Sequence, residues 1–315
     1  MKTHLRKWKV GSKIQRLKKA LDYGPKVEIE TFLARCRYLQ AAMSFPPLSG
    51  NEGPLDCFML LNEPRLWEGV WSLHTFRKLF GPCRLIVLND GSLRPDSIRT
   101  LERLFPGIAV PDVARNDSRV DAFLAQAGVP LCREWRRRFV FFRKLIDPVL
   151  LAQSDAILLL DSDVLHFRTP TEVRAWVSDP AGARYIVDPE RYSYCAPPDV
   201  LRELCGAPLP EYFCAGYLCL PRGMVDLHRV ERYLASDVFD SQRVAGKFNH
   251  VAEQTLYAME SGIAGSKSLP PDYATCPDPA KQDVVMGHFC GGEAPRTWFY
   301  TKGLRLLAGS SIAAV

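Results

Sequence analysis

The sequence predicts an α/β fold in which a mostly parallel central sheet is flanked by helices and preceded by an N-terminal helical extension. From residue 55 onward, short apolar runs typical of buried strands alternate with segments of helical periodicity. Three of these runs end in polar residues, at Asn62, Asn89 and Asp161. Strands that alternate with helices form parallel sheets, and their carboxyl ends meet at one edge. We therefore expect a single ligand-binding mouth at that edge.

The predicted strands are short apolar runs bounded by turn-forming residues: Leu55–Leu61, Arg84–Leu88, a weaker Ile108–Val113, the run that ends at Asp161, Ala183–Val187 and Tyr212–Leu220. The predicted helices have apolar residues at three- and four-residue spacing: Trp67–Phe80, Pro95–Leu104, Val120–Ala127, Trp135–Gln153, Met224–Ala235 and Val251–Ser261. Pro148 falls inside the fourth of these and predicts a kink there. The segment Asp188–Pro210 is rich in proline and is predicted to be a long loop, and loops of that length are usually functional.

Composition limits the class of protein. The chain has 315 residues and is 47% hydrophobic, which is enough for a sizeable core. It contains no run of 18 apolar residues, so we expect no membrane-spanning helix, and its basic start lacks the apolar stretch of a secretory signal peptide. The ten cysteines include no Cys-x-x-Cys pair. We expect reduced core thiols in a cytoplasmic protein.

The N-terminal 50 residues differ from the rest. Residues 1–20 carry eight lysines and arginines and no acidic residue, with apolar side chains at helical spacing. The breaker-rich stretch 44–54 then predicts a linker. We therefore divide the chain into a basic helical extension and linker, residues 1–50, and a main domain, residues 51–315. Residues 1–21 would either lie on an anionic membrane surface, at the inner face of the membrane, or pack on the main domain. No nucleic-acid partner is expected, because no recognised binding motif accompanies the basic residues.

The most informative motif is the apolar run Ala156–Leu160 followed by Asp161, Ser162 and Asp163. If strand geometry persists through residue 163, alternation places the two carboxylates on the same side. Two close carboxylates repel each other, and a hard divalent cation removes that repulsion. The motif therefore predicts a Mn²⁺ or Mg²⁺ site, with a solvated turn as the alternative.

Five segments of the chain, in order, resemble the nucleotide-sugar glycosyltransferases of the GT-A fold. The nearest group is the retaining family that contains glycogenin and the bacterial lipopolysaccharide galactosyl- and glucosyltransferases. The resemblance covers roughly residues 55–304 and is carried by these segments: Leu61-Asn62-Glu63 with the helix after it, Phe142-Arg143-Lys144-Leu145 with the run through Asp163, Phe213-Cys214-Ala215-Gly216-Tyr217, Glu253-Gln254, and Gly287-His288-Phe289-Cys290-Gly291. The chain departs from the family at Cys214, where asparagine is usual. It also lacks the lysine that normally follows the histidine closely, and Arg296 and Lys302 are the nearest basic candidates.

The resemblance implies roles for particular residues. Asp161, Asp163 and His288 would bind the metal ion, Mn²⁺ or Mg²⁺, and carboxylates with an imidazole suit Mn²⁺. Contacts to the UDP-sugar donor are implied for Asn62, Lys144, Asp161, Ser162, Asp163, Ala215, Gly216, His288, Gly291 and Lys302. The catalytic candidates are Gln254, Glu253 and Asp188. Glu253 and Gln254 would face the anomeric carbon, although a carboxylate or amide at a helix start is often only a cap.

The predicted function is the metal-dependent transfer of a hexose from UDP to a saccharide or lipid-linked glycan acceptor, with retention at the anomeric carbon. One alternative is an inverting GT-A transferase, in which a carboxylate such as Asp188 or Glu253 deprotonates the acceptor. A nucleotidyltransferase is a second alternative, disfavoured because the usual glycine-rich phosphate loop does not follow the first strand. A third is a non-catalytic protein that binds nucleotide sugars.

Overall fold

Nine strands form one sheet in the part of the chain that the computed structural model describes, residues 24–188, 194–239, 249–279, 283–290 and 297–308. In chain order the strands are β1 Leu55–Leu61, β2 Arg84–Asn89, β3 Ala156–Leu160, β4 Val164–His166, β5 Ala183–Val187, β6 Phe213–Pro221, β7 Ser266–Ser268, β8 Tyr273–Thr275 and β9 Met286–His288. Their order across the sheet is β2-β1-β3-β6-β5-β8-β9-β4, and β7 also pairs with β5. Five of the eight pairings are parallel, and β6 is antiparallel to both of its neighbours.

Helices cover both faces of this sheet. They are α1 at residues 24–43, α2 Leu66–Phe80, α3 Pro95–Leu104, α4 Val113–Gln126, α5 Pro130–Arg138, α6 Phe142–Leu151, α7 Thr171–Ser178, α8 Pro198–Cys205, α9 Leu227–Leu234, α10 Asn249–Ala264 and α11 Leu304–Ala308. A 3₁₀ turn, Glu63–Arg65, precedes α2, and a π-helical turn, Phe299–Gly303, precedes α11. The predicted fold class, a mostly parallel sheet flanked by helices, is confirmed.

The core lies in two layers, one on each face of the sheet. Strand β3 shows why, because its side chains alternate: Leu158 and Leu160 enter one cluster while Ile157 and Leu159 enter the other. All five residues of β3 are buried, as the continuous apolar run predicts. Packing on both faces therefore fixes the position of β3, and with it the start of the Asp161–Asp163 segment that follows.

The predicted third strand, Ile108–Val113, is wrong. Only Ala109 forms a bridge, parallel to Ile86 of β2, and Val113 already begins α4. Two residues prevent strand pairing beyond Ala109. Pro111 has no N–H to donate, and the Asp112 side chain accepts a hydrogen bond from the Arg115 amide as a helix N-cap. Helix α4 consequently starts seven residues before the predicted Val120.

The predicted helix Trp135–Gln153 is two helices, α5 and α6. The chain is extended at Phe139, and the Trp135 ring packs against Phe139 and Phe142 with ring centres 5.0 Å apart in each case. Pro148 lies inside α6 and leaves the carbonyl of Lys144 without its helical donor. The Tyr257 hydroxyl of α10 donates to that carbonyl at 2.7 Å. Pro148 thus leaves a carbonyl of α6 available for the hydrogen bond that links this helix to α10.

The predicted loop Asp188–Pro210 contains helix α8. Pro198 stands at the start of α8, and Gly206 ends it in the left-handed conformation with φ +69°. Proline at the first turn and glycine after the last are a readable helix signature, so this helix could have been predicted. Residues 189–193 of the same segment lie outside the described residues.

The N-terminal extension is described from residue 24. Helix α1 lies within the predicted helical extension, residues 1–50, while the basic stretch through residue 21 lies outside the described residues. Tyr38 and Phe45 pack on the main domain at Trp71, whose indole Nε1 donates to the Tyr38 carbonyl at 3.0 Å. Among the described helices, none is both long enough and apolar enough to cross a bilayer.

Candidate active site

The carboxyl ends of β1, β2 and β3 lie side by side, because β1 pairs in parallel with both neighbours. Asn62, Asn89 and Asp161 terminate or directly follow these three strands. An open cleft lies there, and its lining includes Asn62, Lys144 and the whole Asp161–Asp163 motif. The structure thus brings Asn62, Ser162, Lys144 and the two aspartates to one mouth.

The two aspartates stand in a turn rather than in a continued strand. Strand β3 ends at Leu160, and the amide of Val164 donates to the carbonyl of Asp161 at 3.3 Å. The expectation that strand alternation aligns the carboxylates is therefore wrong. The turn aligns them instead, and its backbone is fixed by hydrogen bonds from outside: the Asp161 amide donates to the Gly216 carbonyl, and the Ser72 hydroxyl donates to the Asp161 carbonyl.

His288 completes a cluster with the two aspartates. Strand β9 pairs antiparallel with β4, which directly follows the aspartate turn. This pairing places the His288 ring beside the two acids. Its Nε2 lies 3.2 Å from Asp163 Oδ1 and 3.7 Å from Asp161 Oδ2. Burial disfavours a charged ring, but Cys214 and Asp163 raise the pKa of His288 well above its usual value. Two oxygens and one nitrogen thus converge within 4.8 Å of one another.

Gly216 makes room for the His288 ring. A Cβ added at Gly216 would lie 1.9 Å from His288 Cε1 and within 2.6 Å of both ring nitrogens. Any side chain there would displace the imidazole from the acids. The predicted Ala215-Gly216 segment therefore has a steric role beside the metal-ligand candidates, in addition to the donor contacts predicted for it.

Lys144 is buried behind the acidic pair. Its Nζ lies 2.8 Å from Asp161 Oδ1, 2.9 Å from the Ala215 carbonyl and 3.8 Å from Glu253 Oε1. Burial opposes the charge, but Asp161 and Glu253 raise the pKa of Lys144 above its usual value. In this structure the lysine compensates two carboxylates and orients Asp161.

Glu253 and Gln254 lie in the second turn of α10, which begins at Asn249, so the helix-cap reading is wrong. Burial raises the pKa of Glu253 to about 7, against the opposing attraction of Lys144. Its Oε1 is buried and accepts no hydrogen bond from the described residues. The Gln254 Oε1 accepts from the Ala215 amide at 3.1 Å, which ties α10 to β6. Both side chains thus approach the site from the β6 side.

The remaining candidates are less central. Asp188 follows the carboxyl end of β5 at the same sheet edge, and its amide donates to the Tyr212 carbonyl. Lys302 pairs with Asp278 at 2.9 Å and lies 3.6 Å from the centre of the Trp298 ring; within the described ranges, no contact joins it to the acidic pair. Gly291 and Arg296 lie outside the described residues.

Sequence reasoning missed two features of the site. Cys214 and Cys290 lie beside His288. The one sign of this in the sequence was that Cys214 stands where the family usually has asparagine. Arg65 lines the cleft and belongs to no recognised motif. The arginine-rich segment 133–143 is paired with acids of α4, α5 and α6, which supports a structural role for it.

Comparison with known protein families and with curated proteins finds no match. Solved structures do match. The bifunctional glycosyltransferase WbbM aligns with 82% of this chain and 50% of its own, at 12% identity and a TM-score of 0.50. The chain has the GT-A glycosyltransferase fold. Also similar are a galactosyltransferase LgtC bound to donor and acceptor sugar analogues, at 17% identity and TM-score 0.49 over 81% of this chain and 96% of that one, and mouse xyloside xylosyltransferase 1, at 13% identity and TM-score 0.45 over 75% and 98%.

Proposed function

We propose that this chain is a metal-dependent glycosyltransferase that moves a hexose from UDP to a saccharide or lipid-linked glycan acceptor, with retention at the anomeric carbon. The observation that carries the proposal is the convergence of Asp161, Asp163 and His288 at the rim of an open cleft at the carboxyl edge of the sheet. Ligands of open α/β sheets bind at that edge.

The residues present fit a divalent cation. Two carboxylates and one imidazole suit Mn²⁺, with Mg²⁺ as the other candidate, and the absence of a Cβ at Gly216 leaves space for the imidazole beside the acids. When bound, the cation would stabilise the negative charge that develops on the leaving diphosphate. Asp161 and Asp163 line the cleft in which the nucleotide would bind.

Other side chains of the site would position the metal ligands and contact the sugars. Lys144 holds the Asp161 carboxylate in place through a 2.8 Å hydrogen bond and keeps the local charge from becoming strongly negative. Glu253 is buried, and its Oε1 accepts no hydrogen bond from the described residues. This oxygen is suited to accept a hydrogen bond from a hydroxyl of the donor sugar or to stabilise positive charge at the anomeric carbon. Gln254 would act with it, and Asp188 would contact donor or acceptor hydroxyls at the same edge.

The test is hydrolysis of UDP-, GDP- and CMP-sugars by the full chain, with and without Mn²⁺. We expect Mn²⁺-dependent release of UDP, lost in Asp163→Asn and retained in Cys36→Ser, a control at an exposed thiol of α1. Stabilisation of the folded chain by UDP-sugar and Mn²⁺ together, read as a rise in melting temperature, would identify the donor. Hydrolysis that survives both Asp161→Asn and Asp163→Asn would refute the metal assignment.

The stereochemistry is a separate test. Proton NMR of the glycoside formed on a saccharide acceptor reports the anomeric configuration directly. We expect the configuration of the donor to be retained. An inverted product would refute the retaining assignment. It would favour a mechanism in which a carboxylate such as Asp188 deprotonates the acceptor as general base.

We further propose that the extension binds anionic membrane from the cytoplasmic side. Residues 1–21 supply positive charge, and α1 exposes Ile29, Phe32 and Leu33 at 59%, 66% and 60% on one helical face. The full chain should co-sediment with vesicles that contain anionic lipid and not with zwitterionic vesicles. Phe32→Ser/Leu33→Ser should weaken that sedimentation, whereas Gln40→Ser on the same helix should not. Equal sedimentation with both vesicle types would contradict the proposal.

A further inference from the structure

A thiol cluster lies on the other side of the His288 ring from the acidic pair. Cys214 Sγ is 3.4 Å from His288 Nδ1, and these two atoms and the Cys290 sulfur all lie within 4.8 Å of one another. The Cys276 Sγ donates to the Cys290 carbonyl at 3.0 Å, which holds the backbone that carries Cys290.

The spacing of this cluster matches a thiophilic metal site. A tetrahedral zinc ion with a sulfur ligand at about 2.3 Å and a nitrogen ligand at about 2.0 Å separates those two atoms by roughly 3.5 Å. The observed separation of Cys214 Sγ and His288 Nδ1 is 3.4 Å. Cys214 is buried and Cys290 is half-buried, so an ion can reach the cluster from the Cys290 side. Thiolate ligands select such ions over Mg²⁺ and Mn²⁺.

We propose that Cys214, Cys290 and Nδ1 of His288 bind a thiophilic d¹⁰ cation, with Zn²⁺ as the type ion, and that this ion competes with the hard cation for His288. A neutral imidazole has one nitrogen lone pair for a metal and one N–H. With an ion on Nδ1, the proton stands on Nε2, where Asp163 accepts it at 3.2 Å. With an ion on Nε2, the proton stands on Nδ1, where Cys214 is the acceptor. Each state has its hydrogen-bond partner in place, so one ring serves one ion at a time.

The competition part rests on the proposed function, whereas the thiol site stands without it. Because coupling between two sites is reciprocal, Zn²⁺ should weaken Mn²⁺ binding by the same factor by which Mn²⁺ weakens Zn²⁺ binding. Zn²⁺ would therefore inhibit sugar transfer at concentrations that fill the thiol site.

The direct test is titration of the full, reduced chain with Co²⁺, a spectroscopic substitute for Zn²⁺. We expect one equivalent to produce the near-ultraviolet thiolate-to-cobalt absorption and visible bands of a four-coordinate ion, both removed by excess Zn²⁺. The absorption should be lost in Cys214→Ser and in Cys290→Ser and kept in Cys36→Ser. It should also be kept in Asp163→Asn, so that failure of the hard-cation site is distinguished from failure of this one. Thiolate absorption that is unchanged in Cys214→Ser would overturn the assignment.

X-ray absorption at the zinc edge needs no variant and covers the case in which a serine variant does not fold. The wild-type chain with one equivalent of Zn²⁺ should show sulfur neighbours at about 2.3 Å. A shell of oxygen and nitrogen alone would overturn the proposal.

The competition is measured from the electron paramagnetic resonance signal of free Mn²⁺. One equivalent of Zn²⁺ should release bound Mn²⁺ from the wild-type chain, and the same addition should release much less from Cys214→Ser, which still has the hard site. Equal release from both proteins would show that Zn²⁺ displaces Mn²⁺ at the acids themselves. That result, or thiolate ligation without any release, would overturn the shared use of His288.

Discussion

Replacing Lys144 by methionine tests whether this lysine compensates the buried charge of the site. Methionine keeps most of the apolar stem and removes the ammonium group, which lies 2.8 Å from Asp161 and 3.8 Å from Glu253. Asp161 is 35% exposed and can recover water, so most of the cost falls on Glu253, which is 3% exposed.

The magnitude follows from these distances. Two unit charges 3.8 Å apart interact by about 4 kcal/mol at an effective dielectric constant of 20. Removing one partner of a buried ion pair typically costs about 3–5 kcal/mol. Protonation of Glu253 limits that cost, because its pKa is already about 7 and rises further without the lysine. We expect a loss of about 3 kcal/mol in unfolding free energy at pH 8.

The cost should depend on pH in a defined direction. The folded-state pKa of Glu253 lies above its unfolded value of 4.5, so its carboxylate lowers stability as pH rises from 4.5 through the folded pKa. Near pH 5 the group is protonated in both the wild type and Lys144→Met. The difference between them should then shrink to about 1–2 kcal/mol, the contribution of the lysine's hydrogen bonds.

The assay is urea unfolding followed by tryptophan fluorescence at pH 8 and pH 5, with Lys78→Met on the exposed side of α2 as the matched control. In Lys144→Met/Glu253→Gln the added cost at pH 8 should largely disappear. A loss below 1 kcal/mol at pH 8, or the same loss at both pH values, would refute the view that Lys144 compensates Glu253.

Three further predictions concern the same region. In Glu253→Gln, the unfolding free energy should no longer fall by the roughly 3 kcal/mol that a shift from 4.5 to about 7 implies across that pH interval, measured by urea unfolding at several pH values; an unchanged slope would contradict it. Gly216→Ala should lower Mn²⁺ affinity at least tenfold by displacing the metal-ligand imidazole and should cost about 1–3 kcal/mol in stability, whereas Gly128→Ala, with φ +70° and no atom within 4 Å of the added Cβ, should lose only stability. Tyr257→Phe should cost about 1–3 kcal/mol in urea unfolding, because it leaves the carbonyl of Lys144 buried without a donor; a loss within 0.5 kcal/mol, on the order of a neutral substitution, would contradict that reason.

Much of the fold could be predicted because its elements are marked locally. The bounds of β1, α3 and β5 agree with the sequence prediction residue for residue. Each is a strongly periodic or continuously apolar segment bounded by glycine, proline or polar residues. The errors occurred where one local signal competed with another: Pro111 and Asp112 ended a strand and began α4, and aromatic packing around Trp135 divided a long helix.

The site was predicted in composition and only partly in arrangement. That Asp161, Asp163 and His288 meet depends on the antiparallel pairing of β9 with β4. The acids and the histidine are at least 125 residues apart in the sequence, and no local pattern indicates that these two strands pair. Lys144 reaches Asp161 because β6 is inserted antiparallel beside β3 and presents the Ala215 carbonyl there. Strand order of this kind follows from burial across the whole molecule.

The sequence by itself determined that this is an α/β chain, where its main strands lie and which acids end the central one, because apolar periodicity and turn residues act over a few positions. Only the tertiary structure decided which groups share the His288 ring. Its Nε2 faces carboxylates and its Nδ1 faces a thiol, and both neighbours come from strands and turns that are distant in sequence. Chemistry at one atom depends on contacts of a few ångströms, and only the packing of the complete sheet brings those contacts together.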